Sequence, residues 1–179
     1  VDDEVRRLIE SAEDGDADAQ FNLGVRFDDG DGVVQDHAEA AKWYSAAAMQ
    51  GHAVAQLYLG ISYEIGEGVL QDPTAAVKWY REAADQGYAE AQTRLGVMYE
   101  LGHGVEQSYV DAAMWFRLAA ERDSTFAQYK LGTLYLEGSG VKQDNFYAAF
   151  WYQKCAEKGL SIAQHNLGVL LHNGLGVPK

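Results

Sequence analysis

The chain has one cysteine, Cys155, and two prolines among 179 residues. A lone cysteine allows no internal disulfide, so a disulfide-stapled scaffold is excluded and the redox compartment stays open. Basic residues are scarce. Lys and Arg number 14 against 27 Asp and Glu, a formal net charge of −13. That deficit argues against nucleic acid, whose partners present a basic stripe, and against anionic membrane surfaces. No apolar run approaches about 18 residues, so no transmembrane helix is expected. No signal peptide is recognisable, and a start at Val1 rather than methionine leaves open whether a leader was removed.

What is present is a period. Ala-Gln occurs at Ala19-Gln20, Ala55-Gln56, Ala91-Gln92, Ala127-Gln128 and Ala163-Gln164, each 36 residues after the last. A fixed period of roughly 20 to 50 residues is the signature of a repeat array. In the second unit Ala55, Leu59, Gly60 and Tyr63 share one face of a first helix, A. Gly66 and Gly68 stop it, because glycine takes positive φ at no steric cost. Asp72 and Pro73 read as N-cap and first residue of a second helix, B, along which Ala76, Trp79, Tyr80, Ala83 and Ala84 recur at helical spacing until Gly87.

The same positions recur in register. Leu23-Gly24, Leu59-Gly60, Leu95-Gly96, Leu131-Gly132 and Leu167-Gly168 mark helix A; Trp43-Tyr44, Trp79-Tyr80, Trp115-Phe116 and Trp151-Tyr152 mark helix B. All four tryptophans occupy one repeat position, which is the habit of a core anchor and not of a catalytic residue. A glycine inside a helix costs about 1 kcal/mol against alanine. Its recurrence implies close approach of the neighbouring Trp or Tyr to a backbone without Cβ.

Residues 1–15 read as an imperfect helix B, with Ala12 and Gly15 in register, acting as a cap or as part of a further unit. Residues 16–179 read as four complete repeats plus the first helix and loop of a fifth. Units begin near residues 16, 52, 88, 124 and 160. Ser108 replaces the usual aspartate N-cap of the third. Asp123 stands where Gly51, Gly87 and Gly159 end other units, so a looser C-cap is expected there.

These residues resemble the Sel-one-like repeat (SLR) family, a relative of the tetratricopeptide repeat. Ala89, Ala91, Leu95, Gly96, Tyr99, Gly102, Gly104 and Val105 fit the first half of the family pattern; Asp72, Ala76, Trp79, Tyr80, Ala83, Ala84 and Gly87 fit the second. The match runs through nearly the whole chain. It implies interaction scaffolds, generally without catalytic activity, working in signalling, quality control and host contact. A cysteine-rich branch pins each helix pair with a disulfide, from which this chain departs. The expected fold is all-α, a right-handed α-α superhelix (solenoid) of about ten helices without a sheet.

Gly-x-Gly-Val resembles a phosphate loop only superficially, since these loops follow helices and recur five times. His165 and His172 lie two turns apart, roughly 10 Å, too far to share one ion. Cys155 occupies an alanine position of helix B and reads as a small buried hydrophobe. No catalytic, metal-ligand or cofactor set stands out.

The variable positions are those of Asp18, Phe21, Val25, Asp28 and Asp29, opposite the constant face of helix A. In tetratricopeptide arrays the equivalent positions face a concave groove. Unit one is acidic there, unit two apolar (Val54, Leu57, Ile61, Ile65), and unit four aromatic (Phe126, Tyr129). The expected partner is a protein or peptide. The expected groove is lined by Leu57, Ile61, Ile65, Leu101, Phe126 and Tyr129 beside Glu64, Glu90, Glu100 and Glu137. A small hydrolase of the peptidoglycan or β-lactam type, suggested for the cysteine-rich relatives, is the alternative.

The fifth helix A is expected to bare Leu167, Val169, Leu170 and Leu171, and Pro178-Lys179 lead toward the N-cap of a further helix B. The chain is therefore expected to be a fragment of a longer array, or to have that face covered by a second molecule. Extending it by one natural helix should raise the melting temperature. No rise, in a protein monomeric at high concentration, would contradict the exposed face.

Overall fold

A computed structural model describes residues 3–176. Among them are ten helices and no strand: α1 (Asp3–Glu13), α2 (Ala17–Asp29), α3 (His37–Met49), α4 (Ala53–Ile65), α5 (Pro73–Asp85), α6 (Ala89–Leu101), α7 (Tyr109–Glu121), α8 (Thr125–Glu137), α9 (Asn145–Glu157) and α10 (Ser161–His172). The even-numbered helices are the A helices of the repeat, the odd-numbered ones the B helices. None is long and apolar enough to cross a membrane. The chain divides into two compact units, Val1–Tyr88 and Ala89–Lys179, built on one plan. The expected approach of Pro178-Lys179 to a further N-cap falls outside the described residues.

Helix ends follow local chemistry. Asp36, Asp72 and Asp144 each accept two backbone N–H donations at 2.9 and 3.1 Å, capping α3, α5 and α9. Ser108 caps α7 through Asp111 N–H at 3.2 Å, as expected. Gly30, Gly66 and Gly138 close α2, α4 and α8 in the left-handed region. A loop glutamine then seals each A helix: Gln35, Gln71, Gln107 and Gln143 donate to the carbonyls of Asp28, Glu64, Glu100 and Leu136, all at 2.8 Å. These satisfy carbonyls that a helix end leaves without intrahelical partners.

The core refines the expectation for the tryptophans. Trp115 is 6% exposed, but Trp43, Trp79 and Trp151 are only partly buried, whereas Tyr44, Tyr80, Phe116 and Tyr152 are 0–1% exposed. The deeper anchor is the residue after the tryptophan. Its ring lies on the mid-helix glycine: a Cβ on Gly24, Gly60, Gly96 or Gly132 would stand 2.6–2.9 Å from the ring. Trp43, Trp79 and Trp151 instead pack where the A helix of their own repeat meets the preceding B helix, Trp79 against the cluster that holds Ala48 of α3 with Ala55 and Leu59 of α4.

The recurrent Ala-Gln also has a structural role. The Gln20, Gln56 and Gln128 amides are buried and donate to the Ala12, Ala48 and Ala120 carbonyls at 3.1, 3.2 and 3.2 Å; Gln164 does the same to Ala156 at 3.1 Å. Each bond ties an A helix to the last turn of the preceding B helix.

Two local expectations are corrected. Asp123 takes the left-handed backbone of the glycines it replaces, φ 71°, and is not loose. Its carboxylate accepts from Lys158 Nζ and, at 3.2 Å, from Gln128, and Lys158 also donates to its carbonyl at 2.8 Å. The lysine, then the glutamine, holds that carboxyl below its usual pKa. On α10, Val169 and Leu171 are exposed and Leu167 partly so, but Leu170 is buried at 4% in the cluster with Ala148 and Tyr152 of α9. Leu167 packs against the same cluster from its partly buried position.

Gly168 is the exception among the mid-helix glycines, since nothing lies within 4 Å of a Cβ built on it. Gly60→Ala should therefore destabilise the protein by about 1–3 kcal/mol, as overpacking does. Gly168→Ala should stabilise it by up to about 1 kcal/mol, the helix-propensity gain. Chemical denaturation of both variants checks the pair; equal effects would refute the ring-on-glycine account.

Candidate functional site

At about 100° of turn per residue, the variable positions of helix A are not one face. Taking Gln20 as zero, Asp18, Val25 and Asp29 fall roughly 140–180° away, but Phe21 and Asp28 only about 80–100° away. That is some 40–60° from the direction of Gly24, close enough to touch the packed ring. The structure follows this division.

In the first unit Leu57 is 1% exposed. It was expected to line a groove, but its flank position, next to the face of Gly60, puts it in the interior. Its counterpart Phe21 packs against Tyr44, His52 and Tyr58, with centroids 5.8, 5.0 and 5.4 Å away. Asp28 accepts from the Tyr44 hydroxyl at 3.2 Å, and Glu64 from that of Tyr80. Burial first, then the Asp28 charge, pushes the Tyr44 pKa far up, so the phenol stays protonated. Ile61 is half-buried and Ile65 exposed at 57%.

In the second unit Phe116 replaces the tyrosine and offers no hydroxyl. Glu100 pairs instead with Lys130 at 2.5 Å, with 15% of its side chain exposed. Tyr129 is partly buried, its ring 5.9 Å from Tyr152. Glu90 pairs with Arg94 one turn on, at 3.4 Å. Leu101 and Phe126 are exposed at 66% and 50%, and Glu137 is exposed. Of the ten residues expected at the site, Ile65, Glu90, Leu101, Phe126 and Glu137 are thus open surface. Glu64, Glu100 and Tyr129 hold neighbouring side chains, Ile61 is half-buried, and Leu57 is core.

Sequence reasoning passed over Ile162, 49% exposed at the repeat position of Phe126, although the register alone would have found it. It also missed an apolar row on the B helices: Val110 and Met114 on α7, and Phe146 and Phe150 on α9, are all exposed. The signal was the contrast with Ala38 and Lys42, and with Thr74 and Lys78, at the same positions of α3 and α5.

No group of three or more His, Cys, Asp or Glu side chains able to hold a metal occurs among the described residues. Cys155 is buried and its thiol donates to the Trp151 and Tyr152 carbonyls at 3.1 and 3.4 Å; burial pushes its pKa up, away from a reactive thiolate. His165 and His172 are both exposed.

A family model described as the Sel1 repeat matches residues 17–52, 53–88, 89–124, 125–160 and 161–179. No curated protein matches the chain. Among solved structures, the chain is similar to a protective antigen of uropathogenic Escherichia coli displaying an SLR fold, at 42% identity and a TM-score of 0.93 over 96% of this chain. It spans 37% of the length of that antigen. A Sel1 repeat protein from Oxalobacter formigenes is 37% identical, with a TM-score of 0.92, over 97% of this chain and 72% of that one. Helicobacter pylori cysteine-rich protein B, at 21% identity and a TM-score of 0.54 over 69% of this chain and 88% of that one, shares the fold alone.

His37 sits between Asp28, with Nδ1 2.7 Å from the carboxylate, and Glu67, 3.4 Å from Nε2. The Asp28 hydrogen bond, more than the Glu67 charge, raises its pKa above the ordinary value of about 6.5. A raised folded-state pKa contributes stability that is fully present below the unfolded value and is lost as pH rises through the folded one. The stability deficit of His37→Gln should thus be larger at pH 6 than at pH 8. Titration by NMR should show the His37 pKa falling in Asp28→Asn; an unchanged pKa would remove Asp28 as the cause.

Proposed function

Because the chain belongs to the Sel1 repeat family, we propose that it is a non-catalytic scaffold that binds a partner protein or peptide through the exposed side of its A helices. Sel1 repeat proteins are generally protein-interaction scaffolds. The observation that carries the assignment to this surface is the pair Leu101 and Phe126 in the second unit. Both are large, apolar and at least half exposed, on consecutive A helices, with the carboxylates of Glu90 and Glu137 at variable positions of the same helices. Ile162 extends the set on α10. In the first unit Ile65 is the corresponding open apolar residue, with half-buried Ile61 one turn before it.

A partner segment with apolar side chains and a basic flank suits this surface. Truncation of an aromatic hot spot commonly costs about 2 kcal/mol or more. The acidic groups chiefly speed and select encounter, so the association rate should fall with salt. No observation favours the hydrolase alternative. The thiol is buried and the two candidate histidines belong to the solvated surface.

The test is a pull-down from the native source followed by affinity measurement with the recovered partner. Leu101→Ala with Phe126→Ala should weaken binding at least tenfold and leave the helical content intact. Lys42→Ala with Lys78→Ala, on the B helices, should change it little. The reverse pattern would move the site off the A helices.

A further inference from the structure

Tyr135 of α8 is engaged from both sides. Arg117 of α7 donates to its hydroxyl at 3.0 Å. The Tyr147 ring of α9 stacks on it, with centroids 5.2 Å apart and planes at 26°. Tyr135 and Val141 pack against the cluster that holds Ala113 and Leu131.

Two repeats earlier, Tyr63 of α4 holds the same position. Ala41, Leu59 and Val69 stand there for Ala113, Leu131 and Val141, but three other positions carry smaller side chains. Ser45 stands for Arg117, Ala75 for Tyr147 and Ala38 for Val110. Among the described residues no side chain bonds the Tyr63 hydroxyl and no ring stacks on Tyr63. A cleft of about 350 Å³ opens there, lined by Ala41, Lys42, Ser45, Leu59, Tyr63 and Val69 among others. Its walls come from α3, α4 and the loop after α4, with α5 in place beyond them.

We propose that this cleft receives an arginine side chain of a partner polypeptide, its guanidinium donating to the Tyr63 hydroxyl as Arg117 donates to that of Tyr135. The place is one that the chain fills with its own arginine elsewhere: Arg81 and Arg117 hold the repeat position of Ser45. The methylenes of the incoming side chain lie against Leu59 and Val69, as arginine stems do on apolar surface. The unstacked ring of Tyr63 offers the planar guanidinium a face, which an ammonium exploits less well. Lys42 at the rim does not bar a second cation. Its ammonium pairs with Glu39, and the next repeat sets Arg81 beside Lys78, at the positions of Ser45 and Lys42. The net charge of −13 draws basic segments toward the chain. The cleft shares no residue with the surface of Leu101 and Phe126, and the inference does not rest on the function proposed for that surface.

The probe is Nα-acetyl-arginine amide, titrated at millimolar concentration into the isotope-labelled full chain and followed by amide chemical shifts in NMR. Saturable shifts should centre on Ser45, Tyr63 and Val69. Nα-acetyl-lysine amide should bind at least threefold more weakly. Tyr63→Phe, which keeps the ring and removes the acceptor, should weaken arginine binding at least threefold. Ser45→Arg, which places the chain's own arginine in the cleft, should abolish it and leave the melting temperature equal or higher. Absence of saturable shifts at the cleft overturns the inference. Lysine binding as tightly as arginine also overturns it, by reducing the effect to net charge, and so does arginine binding that survives both substitutions. Leu101→Ala with Phe126→Ala should leave the arginine affinity unchanged, so failure here and failure of the proposed function are read separately.

Discussion

An aromatic ring lying on a glycine backbone is the contact on which the rest of this structure depends. It brings helix B to helix A within a distance that any other residue would forbid, and the surrounding alanines follow from that distance. Ala40, Ala47 and Ala76 are buried at 0–1% because only small side chains fit beside a ring so close to the neighbouring helix. Close packing of this kind tolerates little change in volume. The tryptophans before Tyr44, Tyr80 and Tyr152 pack beside that contact, where the same A helix meets the preceding B helix. The glycine thus sets the pairing within a repeat, and the tryptophan beside it joins that pair to the preceding B helix.

Hydrogen bonding supplies the register that apolar contact alone leaves loose. Gln20, Gln56 and Gln128 each reach one carbonyl in the helix before, and burial makes loss of that bond costly, about 1–3 kcal/mol for an unsatisfied polar group. The loop glutamine does a local version of this at the other end of helix A. Polar side chains inside a repeat core mark position, and the apolar ones supply the bulk of the stabilisation.

Most of the fold was legible in the sequence because the signals were repeated in register. Ala-Gln, Leu-Gly and Trp-Tyr fixed the helices, the loops and the fold class. What the repetition could not reveal was which of two adjacent aromatics went deeper, since Trp and Tyr were equally constant. The candidate surface was legible only in part. Leu57 and Glu64 varied from repeat to repeat, and variation suggested exposure. They are nonetheless inward or engaged: Leu57 is buried in the interior and Glu64 accepts from the Tyr80 hydroxyl. Leu101 and Phe126, farther around the helix, varied without such a partner and are the ones found open.

The glutamine tie carries a consequence for how such a chain can change length. Gln56 bonds the carbonyl eight residues before it, and so do Gln20, Gln128 and Gln164. Removal or duplication of one whole 36-residue stretch therefore joins a glutamine to an alanine carbonyl of the same kind, and a tryptophan to a groove of the same kind. Recombination between repeats leaves no unmatched seam, whereas an insertion of any other length breaks every one of these contacts at the joint. Repeat number is thus the dimension along which this architecture can drift at little structural cost, while the interior of each repeat stays fixed.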